Sequence, residues 1–579
     1  MGRVVVKSVW VVLIVLISIW IGAASVLSQV RPDAGTLLQE QQRTQPPVLQ
    51  RMTPWEAPEL ERAPLEETGM KFVVKGFRFT GIEGLVTKAE LDDLLKDAIG
   101  KEVGIASLKR LAARVTRYLQ KKGLFLAHAY IPQQEIKDGI VEIAVVAGKL
   151  EGKAVIRGEN LRICESRLQE MTAPPVREGG AANQQEITRS LLIINDLPGI
   201  RAGSTLEPGE TPGTAKLVVD AQEGPLLTGR AWADNYGERF TGSWRGNGLL
   251  QINDPFRYGD QVNLNTTDNP NYQYGQFGYA FPIGYSGLRA GFFFNEMSYK
   301  VDKDLFAANL DGGSRVVGAV ASYPIIRGSS ANLWVGADYS WKNLWDNTAG
   351  FETDNKFVNV GSVHVYGDLL DSLFGRGYNT ASLGLTGGSL DLSAVEADLI
   401  ADQKTAQTNG AYGKFTYEVS RLQRLCESLN LFVTVNGQFA MDNLDSSEKF
   451  ILGGPNGVRA YPVGEATGDS GGVATAELRY DFPEIRYVGI PQLVGFFDEG
   501  WVRLHDSTWA NSVTTFSGKN SYSLSGAGIG ANLTKPNFYV IRVAWAAKVG
   551  SNPGRSDSGL DADGKSDDNR YWIQAMFIF

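Results

Sequence analysis

The sequence contains few of the side chains from which most catalytic and metal sites are built. Its 579 residues include two cysteines, Cys164 and Cys426, and three histidines, His128, His364 and His505. These residues are scattered along the chain, and no histidine has a partner at a metal-ligand or catalytic spacing. The sequence therefore predicts no metal site, no catalytic triad and no cofactor, and an enzyme is the least favoured class of protein.

Basic charge and long apolar runs are also scarce. The formal net charge is −8 at pH 7, whereas nucleic-acid binding requires a basic face or stripe. Beyond the N-terminal segment the chain has no run of about 18 apolar residues, the length that a membrane-spanning helix needs. The sequence therefore predicts no nucleic-acid partner, and no helical membrane span after that segment.

The N-terminus has the three parts of a signal peptide. Arg3 and Lys7 supply positive charge, residues 8–22 are apolar, and small residues follow at 23–25. An anchor helix is the alternative, but an apolar run of roughly 15 residues is short for a bilayer. We expect residues 1–28 to be a signal peptide.

Residues 29–70 are predicted to hold one short helix and then an extended linker. The helix runs from Asp33, which is a good N-cap residue, to Arg43. Leu37 and Leu38 are its only apolar face. The five prolines that follow the helix favour an extended chain.

Residues 71–149 and 150–224 repeat one order of elements, β-α-α-β-β, in two units of about 75 residues each. Thr87 and Glu90 form a capping-box sequence at the start of the first helix. The tandem pattern, with Phe-x-Phe-x-Gly at 77–81, resembles the polypeptide-transport-associated (POTRA) module. Strands are predicted at 72–80, 124–131, 139–147, 150–157, near Thr205 and at 215–220.

From residue 225 to the C-terminus, alternation of polar and apolar residues replaces the helical periodicity. Segments such as 331–345, 429–442 and 539–549 alternate over ten or more residues, longer than an average soluble strand. The 66 glycines and 26 phenylalanines, with 21% charged residues, suit such membrane strands. A membrane sheet must close, because an open edge in hydrocarbon leaves backbone groups unpaired. We therefore predict α+β modules followed by a transmembrane antiparallel β-barrel of about 16 strands over 225–579.

The last predicted strand carries a C-terminal feature of its own. It runs from Tyr571 to the final residue and places Phe577 and Phe579 on one face. A terminal strand that ends in an aromatic residue resembles the signal by which outer-membrane barrels are recognised for insertion.

Two short motifs lie in and after a long Gly-rich loop predicted over residues 443–472. Glycine and proline are too dense there for a regular helix or strand, and an ordered loop of this length is usually functional. The loop tip reads Val458, Arg459, Ala460 and Tyr461, and one face of a later strand carries Phe496, Asp498 and Gly500. A bidentate arginine–carboxylate pair is geometrically selective, so Arg459 and Asp498 form a candidate pair that pins the loop to the barrel wall.

The signal peptide, the two POTRA-like units, the barrel and these two motifs together resemble the haemolysin secretion/activation family. Its members are the outer-membrane transporters of two-partner secretion. The loop tip is similar to the family sequence Val-Arg-Gly-Tyr/Phe, with Ala460 where glycine is usual, and the strand matches Phe-x-Asp-x-Gly. The resemblance implies that the loop folds into the lumen and that Arg459 meets Asp498 there.

The same resemblance implies a location and partners. The barrel would lie in the bacterial outer membrane among its lipids, with the POTRA-like units in the periplasm. It would be inserted by the barrel-assembly machinery and would export a secreted exoprotein that carries an N-terminal secretion domain. The loop, and the helix of residues 33–43, would occupy the pore at rest.

Two other functions remain open on the sequence alone. An outer-membrane assembly insertase of the same superfamily would have three to five POTRA modules as a rule, whereas this chain has room for two. A small-solute porin would not need periplasmic modules. Both alternatives are less favoured than a polypeptide transporter.

Overall fold

The computed structural model describes residues 32–44, 72–124, 126–136, 138–174, 183–211, 214–305 and 309–579. The expected signal peptide and Pro-rich linker lie outside these ranges. No helix within them is long and apolar enough to cross a bilayer.

The first α/β unit packs two helices on a small sheet in which β2 pairs in parallel with β5, and β4 pairs antiparallel on the other side. The Thr87 hydroxyl accepts from the Glu90 amide, and the Glu90 carboxylate accepts from the Thr87 amide, so the predicted capping box is present. The elements are β1 (Phe72–Val73), β2 (Gly76–Thr80), α2 (Lys88–Leu95), β3 (Glu102–Val103), α3 (Ile105–Lys121), β4 (His128–Tyr130) and β5 (Ile140–Val146), while α1 is described below.

Two strands of this unit differ from the sequence-based expectation. The predicted strand 72–80 is broken, because Val74 donates its amide to Lys101 and Lys75 donates to Gly139. The predicted strand 124–131 is reduced to β4, because the Ala127 amide closes a turn onto the Leu124 carbonyl. Local turns compete with the sheet at both places.

The second unit has the same order of elements around a central strand. β9 pairs in parallel with β6 and β7 and antiparallel with β8. The predicted strand 150–157 is again split in two. The elements are β6 (Lys149–Leu150), β7 (Val155–Arg157), α4 (Glu165–Met171), α5 (Gln184–Asn195), β8 (Ile200–Pro208) and β9 (Thr214–Glu223).

The remainder of the chain forms a closed antiparallel barrel of 16 strands, which confirms the predicted fold class. Each strand pairs with the next one along the chain, except that a long loop containing β21 (Phe450–Ile451) and β22 (Thr467–Gly468) separates β20 from β23. The barrel strands are β10 (Leu227–Asp234), β11 (Arg245–Asn253), β12 (Gln261–Asn269), β13 (Tyr272–Ile283), β14 (Leu288–Lys300), β15 (Leu310–Arg327), β16 (Ala331–Thr348), β17 (Phe351–Asp371), β18 (Arg376–Asp391), β19 (Gly410–Arg424), β20 (Leu429–Ala440), β23 (Ser470–Asp481), β24 (Ile490–Arg503), β25 (Ser521–Lys535), β26 (Tyr539–Val549) and β27 (Asn569–Ile578).

Alternation along β16 separates an outer apolar face from a largely polar inner one. On β16, Tyr339 and Trp341 are 53% and 38% exposed on the outside, whereas Ser340 and Lys342 are buried inside. Such a pattern is what a lipid-facing surface around a polar lumen requires. A short helix, α6 (Glu396–Lys404), lies in the connection between β18 and β19.

The barrel closes between its first and last strands. β10 pairs with β27 from Arg230 opposite Ile578 to Asp234 opposite Gln574. The Phe579 amide and carbonyl both bond to the backbone of Gly229, which extends the seam to the last residue. The end of the chain is therefore part of the closed sheet.

The helix α1 (Ala34–Thr44) lies inside the barrel. Asp33 caps it, since its carboxylate accepts the Thr36 amide at 2.7 Å. Leu37 and Leu38 are buried among the inward-facing side chains of the barrel wall. The two leucines that the sequence identified as the apolar face are thus covered by the barrel wall.

Candidate functional site in the barrel lumen

The long loop between β20 and β23 folds into the lumen and packs there as a core. It spans residues 441–469, so the expected boundaries of 443–472 are wrong by two and three residues. Ser470, Gly471 and Gly472 belong to β23, and they pair with Arg503, Val502 and Trp501. Strand pairing competes successfully with the turn preference of these glycines.

The apolar side chains of the tip motif are fully enclosed. Val458, Ala460 and Tyr461 have no exposed surface, and they form one apolar cluster with residues of β23, β24 and β25. A Gly-rich loop in water would not bury such side chains. The loop therefore behaves as an inner layer of the barrel.

Arg459 makes a bidentate ion pair with Asp498. Its Nη2 lies 2.7 Å from Asp498 Oδ1, its Nε lies 2.8 Å from Oδ2, and its backbone amide donates to Oδ2 at 3.1 Å. Thr475 donates its hydroxyl to Oδ1 at 2.9 Å. The fully buried carboxylate of Asp498 thus receives four hydrogen bonds, three of them from one loop residue.

Two further side chains complete the environment of the guanidinium. Nη1 of Arg459 lies 2.7 Å from Glu477 Oε1, and the guanidinium carbon stacks 3.5 Å from the ring centroid of Phe496. Burial alone would lower the pKa of Arg459, but its hydrogen bonds to Asp498 and the charges of both carboxylates raise that pKa instead. The arginine is therefore held in its charged form.

The loop tip also reaches the closing strand of the barrel. Trp572 of β27 donates its indole N–H to the backbone carbonyl of Arg459 at 2.8 Å. One loop residue consequently bonds to side chains on β23, β24 and β27. These contacts tie the loop tip to three strands of the barrel wall.

Close packing between the loop and the wall explains why residues 500 and 460 are small. A Cβ at Gly500 would overlap Leu452 Cδ1 and would lie 2.9 Å from Val458 Cγ2, so the loop packs directly on the strand backbone. Ala460 does not take a positive φ, so alanine fits the position where the resembling family usually has glycine. Its methyl group lies against Gly526.

Sequence reasoning singled out Arg459, Asp498, Phe496 and Gly500, and the structure brings all four together. It missed Glu477, Thr475 and Trp572. The alternation of β23 contained a usable signal for two of them, because Thr475 and Glu477 face the lumen opposite Asp498 and Phe496. Trp572 had no such signal, since it lies 113 residues from Arg459 along the chain.

The helix α1 contacts the loop as well as the wall. Gln39 donates to the Ser447 carbonyl, Arg43 donates to the Ile451 carbonyl, and Asn456 donates to the Arg43 carbonyl at 3.1 Å. On the wall side, the Ala34 amide donates to Asp346 at 3.0 Å. Helix and loop are thus packed against each other inside the lumen.

One carboxyl of α1 is poorly satisfied. Burial raises the pKa of Glu40 to about 8, although Arg245 and Arg43 lower it. Its Oε1 has no hydrogen-bond partner among the described residues. A carboxyl group buried without a full set of hydrogen-bond partners costs free energy, so Glu40 weakens the docking of α1.

Gly500 gives a direct test of the packing between loop and strand. We expect Gly500→Val to push the loop from the wall at a cost of about 1–3 kcal/mol, since overpacked sites cannot relax fully. External protease should then cut between residues 452 and 466 in intact cells. Gly495→Val is the matched control, because an added Cβ on the opposite face of the same strand meets nothing within 4 Å. Equal protection of both variants would contradict the close packing.

A membrane barrel with a locked inner loop and α/β units before it defines a class: an outer-membrane protein with periplasmic modules. Residues 213–533 match the family model for the haemolysin secretion/activation proteins ShlB/FhaC/HecB, and residues 72–148 match the ShlB-type POTRA domain. The chain belongs to the haemolysin secretion/activation family. It is an outer-membrane transporter of two-partner secretion, with its POTRA region in the periplasm.

Individual relatives agree with this assignment over most of their length. The chain is 25% identical over 497 residues to the heme/hemopexin transporter protein HuxB of Haemophilus influenzae (strain 86-028NP), covering 85% of each protein. It is 23% identical over 496 residues to the outer membrane transporter CdiB of Dickeya dadantii (strain 3937), covering 82% of this chain and 84% of that one. The solved structure of CdiB from Escherichia coli has the same fold, with a TM-score of 0.70 at 19% identity over 90% of this chain and 93% of that one. The family match favours the transporter over the insertase alternative.

Proposed function

We propose that this transporter exports a large unfolded exoprotein with an N-terminal secretion domain, and that the loop and α1 keep its pore closed between export events. The observation that carries the closed state is the arginine at the loop tip, which is bonded to Asp498 and Glu477 in the lumen. A loop fixed in this way blocks the path of a polypeptide until these bonds break.

A cavity below the loop tip, lined by both charged and apolar side chains, is the proposed entrance for the exoprotein. It has a volume of about 830 Å³ and reaches the periplasmic turns 427–428 and 482–484. Arg459 and Glu477 line its inner end, and Arg479, Asp481 and Arg542 line its sides. An extended chain with polar side chains would find partners there on entering from the periplasm.

The α/β units are proposed to present that chain to the cavity. Residues 71–149 and 150–224 would be two POTRA domains, each with a sheet edge that a client strand can extend. The second unit docks firmly on the barrel: Arg167 of α4 donates to the Gly284 carbonyl at 2.8 Å and stacks 3.8 Å from the Tyr258 ring. Arg327 of β15 also pairs with Asp196 at 2.7 Å. This docking would hold a client near the pore.

Membrane insertion is proposed to depend on the last strand. Phe577 and Phe579 are both exposed at the seam, where they can face lipid or a protein that receives the strand. We propose that the barrel-assembly machinery reads this end of the chain, and that outer-membrane lipids then cover the outer aromatic side chains.

Deleting the loop tests the closed state. Replacing residues 452–466 by a short Gly-Ser linker leaves β22 and β23 intact and removes the tip. Purified protein in planar bilayers should then show a higher single-channel conductance, because the part of the lumen that the loop tip occupies is emptied.

The matched control replaces residues 511–518 in the extracellular connection between β24 and β25, most of which are exposed or partly exposed. That variant should conduct as the wild type does. An unchanged conductance after deletion of 452–466 would mean that the loop does not block the pore.

A further inference from the structure

The base of the loop has a second set of ionic contacts, separate from those of the tip. Here the chain forms a single 3₁₀ turn, Ser446–Glu448, preceded by Asp445, whose carboxylate caps the turn. Three lysines of the barrel wall surround it. We call these residues, Lys342 of β16, Lys356 of β17 and Lys414 of β19, the lysine seat.

The seat binds both acidic residues of the loop base. Glu448 lies 2.6 Å from Lys342 and 2.7 Å from Lys414, through different carboxylate oxygens. Asp445 lies 2.8 Å from Lys356, which also contacts Asp354 of its own strand at 3.0 Å. Each acidic residue of the turn is thereby tied to the wall.

These contacts are almost fully enclosed, and the three lysines and Glu448 are each less than a tenth exposed. Burial alone would raise the pKa of Glu448, but Lys342 and Lys414 lower it to about 2. The loop base is thus held by charges that water scarcely screens. Removing one member of such a group leaves an uncompensated buried charge.

The seat and the tip contacts share no residue. The seat uses strands β16, β17 and β19, whereas Arg459 bonds to side chains of β23, β24 and β27. The Arg459 motif and the Phe-x-Asp-x-Gly motif therefore include none of the residues that hold the loop base.

The helix α1 rests on the same turn that the lysines hold. Gly35 lies so close that a Cβ there would overlap the hydroxyl of Ser446 and the amide of Ser447. Gln39 donates to the Ser447 carbonyl one turn further along the helix. If the turn moved, α1 would lose this support along its first two turns.

We propose that the lysine seat, by binding Asp445 and Glu448, is a second anchor of the loop that positions α1 in the lumen, so that unseating the loop base releases the helix. This inference rests on the proposed closed state and adds the residues that hold it. Export would then require two separate anchors to open: the arginine at the tip and the lysines at the base.

A single cysteine in α1 can report its release. In a Cys164→Ser/Cys426→Ser background, Leu38→Cys places one thiol where the native side chain is fully buried. We expect a membrane-impermeant maleimide to label this thiol about tenfold or more faster in the Glu448→Gln and Lys342→Met variants. Lys342→Arg, which keeps the charge, should remain closer to the parent.

Asp371→Asn is the matched control. Asp371 pairs with Arg421 at 2.7 Å and so joins β17 to β19, two of the strands that carry seat lysines. The pair lies at the periplasmic ends of these strands and does not touch the loop. In the Asp371→Asn variant, the Leu38→Cys thiol should be labelled at the same rate as in the parent. Equal rates for Asp371→Asn, Glu448→Gln and Lys342→Met, all at matched levels of folded barrel, would overturn the second anchor.

Combining variants tests the independence of the two anchors. Glu448→Gln and Lys342→Met share a contact, so their effects on the logarithm of the labelling rate should add incompletely. Glu448→Gln and Arg459→Ala share none and should add. Complete additivity of the first pair would contradict a direct Lys342–Glu448 interaction in the closed state.

Deleting residues 33–44 separates failure of this inference from failure of the proposed function. If that deletion raises conductance but the seat variants leave labelling unchanged, only the second anchor is wrong. If the deletion leaves conductance unchanged, α1 does not close the pore. The part of the proposed function that assigns pore closure to α1 is then wrong.

Discussion

Secretion of the exoprotein is expected to fall below about a tenth of the wild-type rate when Arg459 or Asp498 is replaced by alanine. Asp498 has no exposed surface, and Arg459 supplies three of its four hydrogen bonds. Removing one partner of a buried ion pair typically costs about 3–5 kcal/mol, because the other charge stays buried without compensation. The loop would then no longer return to one defined closed position.

The double variant discriminates between a direct pair and two separate roles. If Arg459 and Asp498 act together, Arg459→Ala/Asp498→Ala should lose little more activity than either single variant, with a coupling energy of about 0.5–3 kcal/mol. We expect Arg459→Ala to be the more severe single change, because it also removes the contact with Glu477. Secretion rates are compared at matched outer-membrane levels.

Arg479→Ala provides the control for charge alone. Arg479 also pairs with Glu477, at 2.7 Å, and stacks on Phe432, but it does not bond to Asp498. Its loss should affect secretion far less than the loss of Arg459. Small and additive effects of Arg459→Ala and Asp498→Ala would show instead that the two side chains merely line a polar lumen.

The barrel was predictable because its signal is local and repeated. Each strand carries its own alternation, as Ser340, Trp341 and Lys342 illustrate, and lipid outside with a polar lumen inside imposes this pattern on every strand. The helix α2 of the first periplasmic unit was predictable for a similar reason, since Thr87 and Glu90 form its capping box within four residues. Short edge strands such as β4 were not, because turns compete with them.

The interior of the barrel was only partly predictable. Arg459 and Asp498 stood out because their neighbours match motifs of a known family. The lysine seat had no such mark: Lys342 and Glu448 are 106 residues apart, and a lysine on a polar strand face is ordinarily a solvated side chain. Likewise, Leu37 and Leu38 predicted an apolar helix face but not the wall that covers it. Contacts of this kind depend on closure of the barrel around the loop.

Secretion should be abolished when residues 72–224 are deleted, while the barrel still reaches the outer membrane. Closure of the barrel uses β10 to β27 and the seam at Gly229 and Phe579, none of which lies in the deleted segment. We propose that the deleted units recognise the exoprotein, since a client strand can extend an exposed sheet edge. Insertion is measured by the heat-modifiable mobility of the barrel, and export by the exoprotein in the medium.

A point variant tests the same role without removing the two units. Arg167→Ala keeps both units but removes the side chain that bonds to the Gly284 carbonyl and stacks on Tyr258, so the second unit should dock less firmly on the barrel. Secretion should fall while binding of the purified exoprotein persists, because the sheet edges are intact but no longer held beneath the pore. Arg110→Ala, an exposed change on the first unit, should leave both unchanged. Persistent secretion by the barrel that lacks 72–224 would remove these units from client recognition, and loss of binding in Arg167→Ala would place the client on the docking surface itself.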